Sequence, residues 1–353
     1  DLPAESVNPD RDGSIWVSSL STYRDSKSAG GQQRRAAVDA QLAAAVGGTS
    51  PSGGGLRGAS AWSSTSHAHV WHEHRQMTLL QQQTNRRYAK FLLWFASMAH
   101  LGLFIAAVGI NGWTLASLTD NPLLGPGTAA LSRIGATATG EIVYGHQYWR
   151  LLVSPFLSAG ALHVWANVST LMSLGLFLTY HFAWWQLACI YMLSGMAAVS
   201  VSANIAVGYV TAAGSAPTFG FMAAASVLLV VQRDRFKNHV VTWAFLAFML
   251  ALNCFIGATP FVDNSANTTG FVVGALMAAG ILAADWVPSF VCGDFVATTA
   301  SIGLIGLAML ILSLAIIGLN VGLPIQDCCD GWVCAPTPGW WECSASQVSG
   351  FPS

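Results

Sequence analysis

Four polar side chains, Ser215, Asn267, His163 and Asn167, interrupt apolar stretches of this sequence and have the chemistry of a reactive or binding site. Polar residues inside long apolar segments are costly, so they indicate a function or a position facing the protein interior. His163 and Asn167 are four residues apart, which places both on one helix face and lets both point into one cavity. A serine becomes a nucleophile only when a base removes its proton, and a neutral amide such as Asn267 is not basic enough to do so.

A second group of chemically capable residues lies near the N-terminus, where His67, His69, His72 and His74 occur close to Glu73. Imidazole and carboxylate side chains can bind zinc or copper. The alternative is a polar stretch that contacts a neighbouring protein, since nothing nearby fixes the geometry of a metal site. We therefore expect no metal and no other cofactor, with these four histidines as the weak candidates.

The elements that must position the polar residues are predicted to be membrane-spanning helices. The chain has 353 residues, of which 53% are hydrophobic and 9% charged, whereas soluble domains carry about 25% charged residues. Apolar runs of the length that a bilayer requires, roughly 17–25 residues, predict seven spans. They cover residues 91–110, 158–178, 182–206, 215–232, 239–257, 265–285 and 296–318. The sequence is typical of an all-α multi-pass membrane protein, and its near-zero net charge gives no indication of nucleic-acid binding.

The basic residues predict the orientation of these spans. Ten of the fifteen Lys and Arg residues precede the first span, and three more lie between the fourth and fifth spans, on the same side. Only Arg133 and Arg150 fall on the opposite side. Positively charged loops stay on the cytosolic side of membranes. The N-terminus is therefore expected in the cytosol or matrix, and the C-terminus on the opposite side.

Four of the seven cysteines follow the last span. An even number of cysteines in a short non-cytosolic segment predicts two disulfides, with a zinc site as the rival interpretation. They are Cys328, Cys329, Cys334 and Cys343. The first two are adjacent, so each is expected to pair with one of the other two, in a connectivity left open. Cys189 and Cys254 lie within spans and are expected to be buried.

Four stretches, in the right order, resemble the motifs of rhomboid intramembrane serine proteases. Residues 149–152 match a W-R motif, and residues 157–167 match H-A-G-x-x-H-x-x-x-N. Residues 213–220 match G-x-S-G-x-x-F-G, and residues 261–274 match V-D-N-x-A-H-x-G-G-F-x-x-G. The Cys-rich tail resembles that of plant and algal secretory-type rhomboids. The resemblance covers roughly residues 85–345 and implies a rhomboid-like bundle of six core helices plus a seventh.

The resemblance also implies roles for the polar residues. In active members the serine at position 215 is the nucleophile, a histidine at position 267 is its base, and His163 and Asn167 help to stabilise the oxyanion. This sequence has Asn267 in place of the base. It also has Ser158 in place of the first histidine of the second motif, and Ala213 and Ala216 in place of glycines.

Small residues predict where two of the spans pack. Gly270 and Gly274 on the sixth span, and Gly220 and Ala224 on the fourth, have the spacing that lets helix backbones approach closely. In the rhomboid family this spacing brings the fourth and sixth helices together.

Loss of the base favours a catalytically inactive protein that binds transmembrane helices of clients or serves as a subunit of a membrane assembly. In that interpretation Ser215, followed by Pro217, is a helix cap, and His163 and Asn167 form a satisfied interior pair. The alternative is an active intramembrane serine endopeptidase with an atypical base. A transporter or channel is disfavoured, because the spans contain no acidic residue for ion coupling apart from Asp285, the last residue of the sixth span.

Three regions are predicted: a polar N-terminal extension at 1–88, the seven-span domain at 89–320 and the Cys-rich tail at 321–353. The extension is too polar and glycine-rich to form a core. We expect it to lie on neighbouring membrane-protein subunits, anchored by residues such as Trp16, Trp62 and Trp71. Membrane lipids are the other expected partners.

The tail favours the secretory pathway or the plasma membrane as the location. The mitochondrial inner membrane is the alternative, because a chain that begins at Asp1 rather than Met allows for a removed presequence.

Overall fold

A computed structural model describes residues 59–233, 236, 239–286, 293–321 and 343 of the chain. Within these residues the chain forms eleven α-helices and one 3-10 turn, Ser154–Phe156. The helices are α1 (Ala59–Ile110), α2 (Thr128–Ile134), α3 (Thr139–Val143), α4 (Arg150–Val153), α5 (Ala161–Leu178), α6 (Trp184–Ile205), α7 (Ala216–Val231), α8 (His239–Gly257), α9 (Asn264–Ile281), α10 (Ala283–Trp286) and α11 (Gly293–Val321). The protein is an all-α membrane protein, as its apolar runs predict.

Seven of these helices correspond to the seven predicted spans. Five are long and apolar enough to cross a membrane, namely the 80–110 part of α1 together with α5, α6, α8 and the 295–321 part of α11. The other two form the centre of the bundle. Helix α7 has 16 residues, most of them buried, and α9 begins with the polar residues Asn264, Ser265 and Asn267.

Helix α1 begins far earlier than the apolar run predicts, at Ala59 rather than near residue 91. The segment from Ala59 to Leu101 contains no Gly or Pro, the residues that most strongly oppose a helix, so nothing in it ends the helix. The predicted domain boundary at residues 88 and 89 therefore falls inside α1. Residues 1–58, including Trp16, lie outside the described residues, and so do the side chains of Trp62 and Trp71.

The chain divides into two compact units, residues 1–78 with 233–238 and residues 79–232 with 239–353. The second unit holds the predicted spans and every contact of the candidate site. Its centre is the pair α7 and α9. A Cβ atom on Gly270 would overlap the backbone of Ala216, and one on Gly274 would overlap the backbone of Gly220. The predicted close approach of these two helices is confirmed.

The connection between α1 and α5 folds onto the bundle. Asn121 is buried, and its side-chain amide donates to the backbone oxygens of Pro126 (3.0 Å) and Ala159 (2.9 Å). Thr137 forms a backbone bridge with Thr211. These bonds tie the connection to the loops that begin α5 and α7, so it forms one wall around the helix N-termini.

Arg150 is the buried cation of this wall. Its guanidinium donates to the oxygens of Ser132 (2.6 Å), Ala136 (2.8 Å) and Gln147 (2.9 Å), and it lies 4.0 Å from the Glu141 carboxylate. Burial lowers the pKa of Arg150, and the negative charge of Glu141 opposes that change. The planar guanidinium thus holds three segments of the connection together.

Among the cysteines, Cys189 is half-buried and Cys254 is exposed. The expectation that both are buried is therefore wrong for Cys254, which lies on the outward face of α8, where its neighbour Phe255 is exposed as well. Of the tail cysteines, Cys328, Cys329 and Cys334 lie outside the described residues. The predicted pairing of the tail stays a prediction.

Candidate functional site

Ser215 stands at the first turn of α7, where Pro217 favours the start of a helix. Only 1% of Ser215 is exposed. The sequence predicts that the Ser215 hydroxyl caps the helix, but the hydroxyl forms no such hydrogen bond. It donates instead to the Asn267 side-chain oxygen, at 2.7 Å. The hydroxyl proton is therefore held between α7 and α9 rather than by the backbone of its own helix.

Asn267 lies in the first turn of α9, whose start is fixed by Asp263. The Asp263 carboxylate accepts from the Ser265 backbone N–H (2.7 Å) and hydroxyl (2.6 Å), and the Asn267 N–H donates to the Asp263 carbonyl (3.2 Å). Burial raises the pKa of the Asp263 carboxyl, and its hydrogen bonds with Ser265 act in the opposite direction. The Asn267 side-chain nitrogen donates weakly to Asn264, at 3.4 Å. Asn267 is thus oriented with its oxygen toward Ser215.

This contact is chemically different from a serine and its base. An amide oxygen can accept the hydrogen bond of a hydroxyl, but it does not take the proton at any pH compatible with a folded protein. The arrangement satisfies two buried polar groups, which stabilises the packing of α7 on α9.

His163 and Asn167 are both fully buried on α5, as their four-residue spacing predicts. They are not a mutually satisfied pair. The Nδ1 atom of His163 accepts from the Ala159 N–H at 3.1 Å, which places the imidazole proton on Nε2. That Nε2–H has no partner among the described residues.

The Asn167 amide is likewise half satisfied. Its nitrogen donates to the Ser158 hydroxyl at 3.1 Å, and its oxygen meets no donor in the described part of the chain. Unpaired groups of this kind are rare in folded interiors, and each one calls for a ligand, a water molecule or a cost in stability. The expectation of a satisfied interior pair is therefore wrong, because each residue has one side-chain atom without a partner among the described residues.

Backbone hydrogen bonds bring these helix starts to one level. The Gly214 N–H donates to the Leu157 carbonyl (2.8 Å), and the Ala212 N–H donates to the Phe261 carbonyl (2.7 Å). The loops that precede α5, α7 and α9 are therefore joined side by side. The polar residues of the three helices lie at the helix starts or within the first two turns after these loops, in a single layer of the bundle.

A fifth polar residue of this layer, His100 on α1, is not part of the sequence prediction. It is fully buried, with Nδ1 3.3 Å from the Ser158 hydroxyl and Nε2 3.0 Å from the Tyr191 hydroxyl. One signal does exist in the sequence, because His100 is an ionisable residue within a predicted span, and such residues mark functional positions.

The weak metal candidates His67, His69, His72 and His74 lie on α1, with side chains outside the described part of the structure. Within the part that is described, no cluster of three or more His, Cys, Asp or Glu side chains has an arrangement that could hold a metal ion. The metal interpretation of the histidines stays untested.

Comparison with known proteins matches residues 145–284 to the rhomboid domain. RHOMBOID-like protein 1 of Arabidopsis thaliana is 28% identical over 208 residues, which cover 53% of this chain and 54% of that protein. Inactive RHOMBOID-like protein 8 of the same plant is 28% identical over 163 residues, 46% of each chain. Rhomboid-type serine protease 2 of Emericella nidulans is 25% identical over 129 residues, 36% of this chain and 26% of that protein.

The chain spans about half the length of the two plant relatives. The matched segment contains His163, Asn167, Ser215 and Asn267, whereas His100 lies outside it. The relatives include one protein named as inactive and one named as a protease. Similarity therefore relates residues 145–284 to the rhomboid domain, but it does not determine whether this chain is catalytically active.

Proposed function

We propose that this chain, which belongs to the rhomboid family, is a catalytically inactive member that binds transmembrane segments of other proteins as a subunit of a membrane assembly. The observation that carries the proposal is the 2.7 Å hydrogen bond from the Ser215 hydroxyl to the Asn267 oxygen. It occupies the place where, by the family resemblance, a histidine would take the serine proton.

Loss of the catalytic base has a large effect on the reaction rate. Removing one member of a catalytic set lowers the turnover rate by roughly 10⁴–10⁶-fold, because the members act as a unit. The neighbouring imidazoles do not compensate. His163 uses Nδ1 for the Ala159 N–H, and His100 uses both ring nitrogens for Ser158 and Tyr191. Within the described residues, neither imidazole forms a hydrogen bond with Ser215.

The proposal of binding rests on the unpaired polar atoms that remain. The Nε2–H of His163 is an unpaired donor and the Asn167 side-chain oxygen is an unpaired acceptor in a buried layer of the bundle. A helix that is locally unwound in a membrane has free backbone N–H and carbonyl groups, and each unsatisfied group costs several kcal/mol in hydrocarbon. We infer that clients with a glycine- or proline-weakened transmembrane helix would gain most from these two groups.

The alternative function is an intramembrane serine endopeptidase with an atypical base. Two observations favour it: Ser215 is retained at the start of α7, and one relative is named as a serine protease. In that case the polar layer would bind the same transmembrane substrates and cut them slowly.

The N-terminal extension, residues 1–88, is proposed as the tether to neighbouring subunits. The ten Lys and Arg residues that precede residue 91, with three more between α7 and α8, support placement of the N-terminus on the cytosolic or matrix side, with the tail opposite. The secretory pathway or plasma membrane is the favoured location, and the mitochondrial inner membrane is the alternative.

The experiment that separates the two functions is serine labelling. Purified protein in lipid nanodiscs is treated with a fluorophosphonate probe and, separately, with a transmembrane substrate that carries a helix-breaking Gly-Pro pair. We expect no Ser215-dependent labelling and no cleavage, but retention of the substrate on the immobilised protein. Labelling or cleavage that disappears in Ser215→Ala would establish the protease instead.

The variant Asn267→His provides the positive arm of the same experiment. An imidazole at this position would face the Ser215 hydroxyl and could accept its proton, so labelling should rise above that of the unmodified chain. A control with both Ser215→Ala and Asn267→His should lose the signal. If the unmodified chain labels as strongly as Asn267→His, the proposal of inactivity fails.

A further inference from the structure

A continuous line of buried side chains connects α1 to the polar layer. It runs from Asn167 through Ser158, His100 and Tyr191 to the carbonyl of Pro155. Each of the four side chains is at most 3% exposed. The line crosses three helices, α5, α1 and α6, together with the loop that precedes α5.

The hydrogen-bond directions along this line select one histidine tautomer. The Asn167 amide donates to the Ser158 oxygen, at 3.1 Å, and the Ser158 proton then needs an acceptor. The His100 Nδ1 atom, 3.3 Å away, provides it only if the imidazole proton is on Nε2.

The rest of the line agrees with that tautomer. The His100 Nε2–H donates to the Tyr191 hydroxyl at 3.0 Å, and the Tyr191 proton points to the Pro155 carbonyl at 3.5 Å. In the opposite tautomer the Ser158 proton would have no acceptor along the line. The Nε2–H form therefore gives every donor an acceptor, which buried polar networks require.

The surroundings fix the ring of His100 as well. It packs against the Phe156 ring, with centroids 6.2 Å apart. Its Cε1 atom would lie only 3.0 Å from a Cβ atom on Gly214, the residue before Ser215. The absence of a side chain at Gly214 thus leaves the space that the imidazole fills beside the start of α7.

We propose that His100 is a positioning residue, which acts through Ser158 to orient the Asn167 amide in the polar layer. Ser158 stands where the family resemblance places a histidine, and His100 brings an imidazole to the same place from a different helix, outside the segment that matches the rhomboid domain. The first span is thereby part of the site rather than a scaffold around it. The effect on client binding rests on the proposed function, whereas the orientation of Asn167 does not.

The test is solid-state NMR of the full chain in nanodiscs with ¹⁵N,¹³C-labelled histidine and asparagine. His100 and Asn167 are assigned by the signals that vanish in His100→Gln and Asn167→Asp. We expect His100 to be neutral with its proton on Nε2. In Ser158→Ala its Nδ1 resonance should shift toward that of an unbonded nitrogen, and in Tyr191→Phe its Nε2 resonance should shift instead.

The orientation of Asn167 provides the readout that simple packing would not change. Its side-chain amide resonances should move in Ser158→Ala and also in His100→Gln, although His100 does not touch Asn167. Ser97→Ala is the matched control, because Ser97 is equally buried one turn away on α1 and has no hydrogen-bond partner among the described residues. It should leave the Asn167 signals in place.

A proton on Nδ1 of His100, or Asn167 signals that do not respond to Ser158→Ala, would overturn the assignment. The same samples separate this inference from the proposed function. If the His100 and Asn167 signals behave as expected but the immobilised protein retains no transmembrane substrate, client binding fails and the positioning role stands.

Discussion

Gly274 of α9 lies so close to Gly220 of α7 that a Cβ atom on Gly274 would overlap the Gly220 backbone. Contact at this distance lets the two polar helix starts approach each other, and it allows one hydrogen bond to join Ser215 to Asn267. The geometry of the site thus depends on glycines that lie about two turns away from it.

Gly274→Ala is expected to destabilise the bundle by about 1–3 kcal/mol, because the added methyl group must push two packed helices apart. Gly303→Ala on α11 is the control, since a Cβ atom there meets nothing within 4 Å. Alanine favours a helix over glycine by roughly 0.5–1 kcal/mol, so this control should be neutral or stabilising. The measurement is reversible unfolding in mixed detergent micelles. Equal effects at the two positions would contradict the packing argument.

The Ser215–Asn267 hydrogen bond is expected to contribute measurable coupling. A double-mutant cycle with Ser215→Ala and Asn267→Ala should give about 0.6 kcal/mol, and at most about 1.7 kcal/mol, the range found for hydrogen bonds between membrane helices. Ser313→Ala, on the exposed face of α11, should change stability by no more than about 0.5 kcal/mol. A coupling energy of zero would mean that the two side chains do not hold α7 and α9 together.

The start of a helix follows closely from the sequence where a glycine or a capping residue precedes the apolar run. Gly160 precedes α5, and Asp263 caps α9. The start of α1 cannot be predicted in this way, because the limits of an apolar run mark the expected membrane crossing and not the limits of the helix. The polar residues before it contain no Gly or Pro and continue the same helix.

The partners of the site residues were harder to predict. The proximity of Ser215 and Asn267 follows from the family resemblance. Whether the Ser215 hydroxyl donates to Asn267 or caps its own helix depends on the distance between α7 and α9. His100 and Ser158 are 58 positions apart in the chain. No local pattern connects them, since the contact is created by the packing of α1 against the loop before α5.

Arg150 is expected to be essential for the wall formed by the connection between α1 and α5. Arg150→Gln should destabilise the protein by roughly 3 kcal/mol, because it leaves one buried and two partly buried oxygens without their charged donor. Arg150→Lys should recover only part of this loss, since one ammonium group cannot reach three acceptors in a planar fork. Arg133→Gln, at an exposed position on α2, is the matched control. Similar unfolding transitions for Arg150→Gln and Arg133→Gln would refute the expectation.

The tail cysteines are expected to form two disulfides on the side of the membrane opposite the N-terminus. Cys189 and Cys254 are free thiols, so neither is expected to pair with Cys343. The basic loops predict that Cys292 lies on the cytosolic or matrix side, where thiols are expected to stay reduced. The expected partner of Cys343 is therefore Cys328 or Cys329.

Non-reducing peptide mapping of the protein from membranes tests this expectation directly. Because Cys328 and Cys329 are adjacent and stay on one peptide, a single linked set that joins this peptide to those of Cys334 and Cys343 should be found within residues 321–353, and it should separate on reduction. Each bond closes a short loop, and loops of about 15 residues contribute roughly 3 kcal/mol, so Cys343→Ser should lower stability whereas Cys254→Ser should not. After reduction, a membrane-impermeant maleimide should label the tail only from the side opposite the N-terminus. A Cys343–Cys292 bond, or labelling from the N-terminal side, would contradict the orientation that the basic residues predict.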